Sequence, residues 1–290
     1  MRKTSVTRSA FLMVLPMYLF TLAFVLGPLL YMVVLSFLRR DGVWGVVMSF
    51  TLRNYSRIGI PEYAATFVQS VRLALFSTLL VILAGYPFGY FMARLKPVWR
   101  GRVMLILIIP FWTSSLMRLY GWIIVFRANG ILDSILMAAG LTGEPLRLLY
   151  TYPAVVTGMI YALLPFMIYS VYTSAEKMDW GLVEAARILG ATPAQAFLTV
   201  TLPLTMPGLF SGVILTFIPS MGLFFIADIL GGNKVVLVGN LIQEQLMKAH
   251  DWPFAAALSV VLMLMTSFFI YLYRRLAAAT GSSGELEGLV

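Results

Sequence analysis

Long apolar runs dominate the hydrophobic pattern of this chain. Six of them reach the length of about 18 residues that a membrane-spanning segment requires. These runs cover Phe11–Phe37, Phe67–Ala93, Val103–Phe126, Tyr152–Thr173, Leu209–Leu230 and Pro253–Tyr273. Backbone groups cannot stay unpaired in lipid, so such continuous runs favour helices over barrel strands. The pattern therefore predicts an all-α polytopic membrane bundle with six transmembrane helices.

Composition narrows the class further. Of the 290 residues, 60% are hydrophobic and only 11% are charged, which is more apolar surface than a soluble domain of this size could bury. The net charge of +9 does not indicate nucleic acid, because basic residues such as Arg94, Lys96, Arg100 and Arg102 lie in short loops beside the spans. With no cysteine and the single His250, no metal centre is expected.

The ends of the spans give a topology. The apolar stretch after MRKTSVTRSA is longer than a signal-peptide core and lacks a convincing cleavage site, so it is expected to remain as the first span. Lys and Arg are slightly more frequent on the side of the N-terminus, which places both termini in the cytoplasm. With this orientation, only the connection over residues 174–208 is both long and cytoplasmic.

This connection has the pattern of a helix-turn-helix. Asp179 can cap a helix that starts at Trp180, and Gly190 suits its end. Thr192 followed by Pro193 then indicates a second cap and the start of another short helix, which Pro203 interrupts.

Small residues gather at the turn of this connection, and they would let another backbone approach closely. They are Ala185, Ala186, Gly190 and Ala191, with Leu182 and Leu189 expected to pack underneath. The segment is therefore predicted to bind a partner. The alternative is an amphipathic segment lying in the lipid headgroups, which its few lysines and two glutamates disfavour.

The same connection carries a resemblance to a known family. Glu184-Ala185-Ala186 and Gly190, followed by Leu202-Pro203 and Pro207-Gly208, resemble the EAA loop of type I ABC importer permeases. The resemblance implies a cytoplasmic coupling loop over residues 175–208. It also implies that Glu184, Ala185, Ala186, Gly190 and the adjoining Ala191 contact an ATPase subunit.

Further segments resemble one branch of that family, the spermidine/putrescine permeases, and their first permease subunit in particular. These segments are Tyr86–Leu95, Pro110–Trp122, Leu163–Tyr172, Met221–Gly232 and Asp251–Ala256. The resemblance implies residence in a bacterial inner membrane, polyamine import, a homologous second permease subunit and an extracytoplasmic substrate-binding protein. It also implies an ATPase dimer that binds ATP and Mg, with no cofactor in this chain.

These expectations divide the chain into three parts. Residues 1–66 form the first transmembrane helix and an external loop, residues 67–274 the permease core, and residues 275–290 a cytoplasmic tail.

Apart from Arg72 at the border of the second span, two charged residues lie within the predicted spans, where charges are costly and usually functional. At 1.5 Å per residue, Arg118 and Asp228 would lie about 22 and 28 Å from the cytoplasmic ends of their spans. Phe224 and Phe225 share a helical face with Asp228, so this face could attract an ammonium group by charge and cation–π attraction. Alternatively, Asp228 pairs with Arg118 as a structural bridge.

A polar stripe in the third span adds candidate pathway residues beside Arg118. They are Trp112, Ser114, Ser115 and Tyr120. Side chains of this kind also serve as hydrogen-bond partners between helices.

Other functions remain as alternatives. Relatives with the EAA loop also transport aminophosphonate, sulfate or ferric ion, and Arg118 would favour an anion where Asp228 would favour a cation. An ion-coupled secondary carrier would need titratable relays, for which Asp228 is the one candidate acid. The lysine near Gly231-Gly232 lacks the spacing of a phosphate-binding loop, so ATP hydrolysis is expected on another chain and no enzymatic activity on this one.

Overall fold

A computed structural model describes residues 14–42, 45–232 and 234–279 of the chain. Six of its helices are long and apolar enough to cross a membrane, as the sequence predicts. They are α1 (Val14–Ser36), α3 (Pro61–Ala93), α5 with α6 (Ser115–Ala138), α7 (Tyr152–Glu176), α9 (Pro193–Gly222) and α12 (Trp252–Ala279). Phe11, where the first predicted span begins, lies outside the described residues.

Shorter elements connect these helices. They are β1 (Arg39–Asp41), β2 (Gly45–Val47), α2 (Arg53–Ile58), α4 (Pro97–Ile108), α8 (Gly181–Ile188), α10 (Phe224–Gly231) and α11 (Val238–Met247). The two strands pair antiparallel, with Arg39 opposite Val47. This hairpin is the one departure from an all-α chain among the described residues, and three residues per strand leave little hydrophobic alternation to detect.

The prediction of the third span as one continuous helix is wrong. Helix α4 ends at Ile108, a 3₁₀ turn covers Ile109–Trp112, and Thr113 and Ser114 are extended before α5 begins. Pro110 has no backbone N–H, and extended residues cannot continue an α-helical ladder. The break divides the span, and α5 then joins α6 (Ile131–Ala138) through a turn.

The fifth predicted span is also displaced. Helix α9 begins at Pro193 and ends at Gly222. It contains a π segment over Phe197–Thr201 and continues beyond Pro203. Pro203 lies just after this π segment, whose wider turn accommodates the proline ring and its missing N–H, so it does not interrupt the helix. Asp228 consequently belongs to the separate helix α10 and lies outside the membrane-spanning candidate.

Contacts divide the chain into two units, of which the larger contains residues 65–240 and the chain from 266 on. Its most deeply buried span is α7, which packs against α9, where the Ser170 hydroxyl donates to the Gly208 carbonyl at 2.8 Å. Helix α3 also approaches α7 closely, because a Cβ on Gly89 would lie only 2.7 Å from the Ile168 carbonyl oxygen. Small residues thus set the distances within this membrane bundle.

The smaller unit contains the chain up to residue 64 together with residues 241–265. Asp251 is buried and accepts from the Arg57 guanidinium at 2.7 Å and from the Phe254 N–H at 3.2 Å. Arg57 also lies over the Phe254 ring, 3.8 Å from its centroid. The buried carboxylate is therefore paired and caps the first turn of α12 at the same time.

Candidate functional site

The first helix of the connection between α7 and α9 has a well-defined end. After α8, the Ala191 N–H donates to the Ala186 carbonyl and the Gly190 N–H donates to the Arg187 carbonyl, both at 3.0 Å. This is the Schellman pattern, which requires a left-handed residue after the helix. Gly190 provides it with φ +94°, and a Cβ there would meet no atom within 4 Å. Conformation rather than space therefore selects glycine at this turn.

The second helix begins where the sequence indicates, with Thr192 as the N-cap and Pro193 as the first residue. The Thr192 hydroxyl accepts from the Gln195 N–H at 3.3 Å, and the Gln195 side chain accepts from the Thr192 N–H at 2.9 Å. The sequence signal for this capping box is a Gln three residues after a Thr, which our sequence analysis missed. Both ends of the turn are therefore fixed by local hydrogen bonds.

The turn presents an apolar tip to its surroundings. Ile188 and Leu189 are 86% and 88% exposed and Leu182 is exposed as well, so the expectation that Leu182 and Leu189 pack underneath is wrong. The Schellman turn is the reason, because it directs the last helical residues away from the chain that follows. Glu184, Ala185 and Gly190 are also exposed, whereas Ala186 and Ala191 are partly buried. The predicted contact residues thus lie around one exposed apolar tip.

The connection is attached to the C-terminal end of α3 through aromatic and cationic side chains. The Arg94 guanidinium lies 5.4 Å from the Trp180 ring centroid and 5.8 Å from that of Tyr90. Tyr90 also contacts Phe197, at 6.1 Å between ring centroids. Each such contact is worth about 0.5–1 kcal/mol at a partly exposed position, so the α8 start is held to α3 by several small contributions.

A cavity of about 350 Å³ lies in the larger unit, beside the break before α5. Its lining residues come from both sides of the break and from α7, α9 and α10, and aromatic and aliphatic side chains predominate. They are Phe111, Ser115, Arg118, Leu119, Tyr161, Ala162, Leu163, Phe166, Leu215, Pro219, Leu223, Phe225 and Ile226. A cavity of this size and character suits a small solute with an apolar body.

Arg118 is the charged group of this cavity. Its guanidinium donates to the carbonyl of Pro110, to the carbonyl of Thr113 at 3.2 Å and to the Ser115 hydroxyl at 3.3 Å. It also lies over the Phe111 ring, 4.7 Å from the centroid. Of the two carbonyls that it binds, that of Pro110 also accepts from the Thr113 N–H at 3.2 Å and from the Thr113 hydroxyl at 2.7 Å. The break and the arginine therefore form one structural unit.

The structure brings together only part of the predicted pathway set. Arg118, Ser115 and Phe225 line the cavity. Trp112 is 82% exposed, Ser114 and Tyr120 are also exposed, and none of these three lines the cavity.

Asp228 and Phe224, the remaining members of that set, do not line the cavity. Asp228 is exposed, and none of the ion pairs within the described residues joins it to Arg118. The Phe224 carbonyl accepts a hydrogen bond from the Asn240 side-chain amide at 3.1 Å. The Phe224 side chain also lies so close to Gly239 that a Cβ on this glycine would be 2.7 Å from the Phe224 Cβ. Phe224 thus contacts the α11 region, so the aromatic pair is split between two surroundings.

The arrangement offers binding rather than covalent chemistry. Among the described residues, no group of three or more His, Asp or Glu side chains could hold a metal ion. The cavity residues our sequence analysis missed, such as Tyr161 and Phe166, come from α7, and nothing in its apolar pattern distinguishes these positions. Pro165 was the available signal, because a proline inside a span often accompanies irregular backbone at a pathway.

Comparison with known proteins agrees with this geometry. The family model described as "Binding-protein-dependent transport system inner membrane component" matches residues 85–281. The "Spermidine/putrescine transport system permease protein PotB" of Escherichia coli strain K12 is 42% identical over 264 residues, covering 91% of this chain and 96% of that protein. PotB of Haemophilus influenzae is 40% identical over 264 residues, covering 91% and 92%.

Solved structures share the fold. A chain in the crystal structure of a bacterial ABC transporter involved in the import of the acidic polysaccharide alginate aligns with a TM-score of 0.69 and 18% identity. The alignment covers 94% of this chain and 98% of that one, so the similarity extends through all six spans. The family match and the close relatives, taken with this shared fold, establish that the chain belongs to the inner membrane components of binding-protein-dependent transport systems.

Proposed function

We propose that this chain is a permease subunit of an ATP-driven importer that moves spermidine or putrescine into the cytoplasm. The observation that carries the proposal is the 42% identity to PotB over 91% of the chain. The chain moves its substrate without covalent chemistry, and ATP and Mg are bound by the partner ATPase.

The connection between α7 and α9 is proposed to receive that ATPase. The exposed tip formed by Ile188 and Leu189 supports this role, because covering two large aliphatic side chains with a partner groove lowers the free energy of the complex. The fixed turn at Gly190 supports it too, because a preorganised surface loses little entropy on binding. This role places residues 175–208 in the cytoplasm, and both termini with them.

Two further partners complete the proposed importer. A homologous second permease would lie against this chain and enclose one pathway, and a substrate-binding protein would deliver the polyamine from outside. The pathway would use Arg118, Ser115 and Phe225 in the cavity, with Trp112, Ser114, Tyr120, Phe224 and Asp228 on surfaces that the second permease could cover.

Uptake by the reconstituted complex tests this proposal. Liposomes holding the chain with its ATPase, second permease and binding protein should accumulate radiolabelled spermidine or putrescine with ATP inside, and vanadate should stop the uptake. Parallel arms contain sulfate, an aminophosphonate and ferric ion, since the Arg118 guanidinium in the cavity favours an anion. Uptake of one of these in place of polyamines would refute the substrate assignment. Uptake driven by an ion gradient without the ATPase would refute the mechanism.

A further inference from the structure

The Arg118 guanidinium is bound in the cavity much as a free cation would be. Carbonyl oxygens of Pro110 and Thr113 and the Ser115 hydroxyl accept its N–H groups, and the Phe111 ring lies beneath it. Each of these groups is neutral. Neutral carbonyls and aromatic faces are also the groups that bind organic ammonium ions by hydrogen bonds and cation–π attraction.

The cavity around this guanidinium extends the same chemistry. Phe111, Tyr161, Phe166 and Phe225 supply aromatic rings, and no Asp or Glu is present among the described residues that line it. A carboxylate would hold a cation tightly, whereas rings and carbonyls hold it with weaker, exchangeable contacts. Such a surface fits a cation that must be released again.

Two prolines remove backbone donors from the helices that line this cavity. Pro165 lies inside α7 and Pro219 inside α9, and neither has an N–H to donate to the carbonyl four residues earlier. Those carbonyls belong to Tyr161 and Leu215, and both residues line the cavity. Two helices packed on the cavity therefore each lack a ladder donor at a lining residue.

We propose that the Pro110 and Thr113 carbonyls and the Phe111 ring form a site for one ammonium group of the substrate, and that Arg118 occupies this site as a tethered substitute until the substrate displaces it. The inference rests on the proposed polyamine transport and adds the residues that receive the cation. An occupied site keeps the break ordered between transport cycles, because the cation donates to the Thr113 carbonyl and adds a donor to the Pro110 carbonyl, which Thr113 also binds. Exchange of one cation for another leaves the number of hydrogen bonds nearly unchanged.

Chemical rescue tests whether the emptied site takes a free cation. In the purified full transporter complex, Arg118→Ala should lower the melting temperature, and millimolar ethylammonium or ethylguanidinium should restore it with a saturating dose dependence. Arg102→Ala is the matched control, because Arg102 stacks on Trp99 at 5.0 Å at an exposed position away from the cavity. Its melting temperature should not respond to either ion. A flat response of Arg118→Ala, or the same response in both variants, would overturn the site.

Competition with spermidine tests the displacement itself. Arg118→Gln keeps amide donors for the carbonyls and removes the charge, so it should fold even if the alanine variant does not. If Arg118 fills the site about nine-tenths of the time, its removal should lower the apparent spermidine Kd about tenfold in the complex without its binding protein. Arg118→Lys should stay near the wild-type Kd. An unchanged or weaker spermidine affinity in Arg118→Gln would mean that Arg118 is only a cap for the break.

The two experiments also separate this inference from the proposed function. Rescue by ethylammonium does not depend on which solute the complex transports. Failed spermidine uptake with successful rescue would refute the polyamine assignment and leave the cation site standing. Successful uptake with failed rescue would refute the site alone.

Discussion

The α7–α9 connection and the Arg118 cavity are built in opposite ways. The connection is formed by consecutive residues, and a cap, a left-handed glycine and a capping box fix it through bonds that span at most five residues. The cavity collects residues from the α4–α5 break and from α7, α9 and α10, which are up to about a hundred positions apart. A surface for a partner can thus be specified locally, whereas a solute pathway depends on how the whole bundle packs.

The largest expected effect is at the tip of the connection. Leu189→Asp places a carboxylate on a side chain that is 88% exposed, so the fold should be unaffected while the apolar contact with the ATPase is lost. We expect ATPase co-purification and spermidine uptake to fall more than tenfold, about 1.4 kcal/mol or more of binding free energy. Leu141→Asp, at a loop position that is 72% exposed, is the control and should behave as wild type. Normal ATPase binding by Leu189→Asp would remove the connection from the interface.

The next effect concerns Asp228, which lies in neither region. With no ion pair to Arg118 in the structure, its proposed role is direct attraction of the substrate, and Asp228→Asn should reduce uptake about tenfold. Asp228→Asn should reduce uptake by the same factor in the Arg118→Gln background, because no bridge would be relieved. Equal initial uptake rates for the double variant and Arg118→Gln alone would instead indicate that the two residues pair in another state of the transport cycle.

A smaller effect is expected within the cavity. In the Arg118→Gln background, where no tethered guanidinium competes, Phe111→Leu removes the ring and should cost about 0.5–1 kcal/mol of cation binding, a two- to fivefold rise in spermidine Kd. Phe111→Tyr in the same background retains the ring and should stay close to Arg118→Gln alone. Equal Kd values for the leucine double variant and Arg118→Gln alone would show that the ring contributes packing alone.

The smallest effect is at the second cap of the connection. Thr192→Ala removes the hydroxyl that accepts from Gln195 and should destabilise the start of α9 by about 1 kcal/mol. Thr192→Ser, which keeps the acceptor, should retain most of the stability. Hydrogen exchange of the amides at residues 194–196 measures this locally. No faster exchange in the alanine variant would contradict the capping role.

The same contrast explains what the sequence could reveal. The six apolar runs predict the spans well, because lipid imposes one requirement on all of them, and Gly190 and Thr192 report their own backbone conformation. The break at Pro110–Ser114 escaped prediction, because an apolar run continues through it and its carbonyls are satisfied by Arg118 from the following helix. Leu189 was misplaced because sequence alone does not indicate where the turn aims its last residues.

The length of helix α9 fixes which of its residues face the cavity. It runs without interruption from Pro193 in the connection to Gly222 near the cavity, a path of about 45 Å, and Leu215 and Pro219 lie on its far part. Each residue turns the helix by about 100°, so a single insertion before Thr205 would rotate Leu215 and Pro219 off the cavity while leaving the connection intact. Chimeric permeases joined within this helix must therefore preserve its residue count, because a lengthened helix would keep the surface proposed for the ATPase yet present the wrong face to the solute.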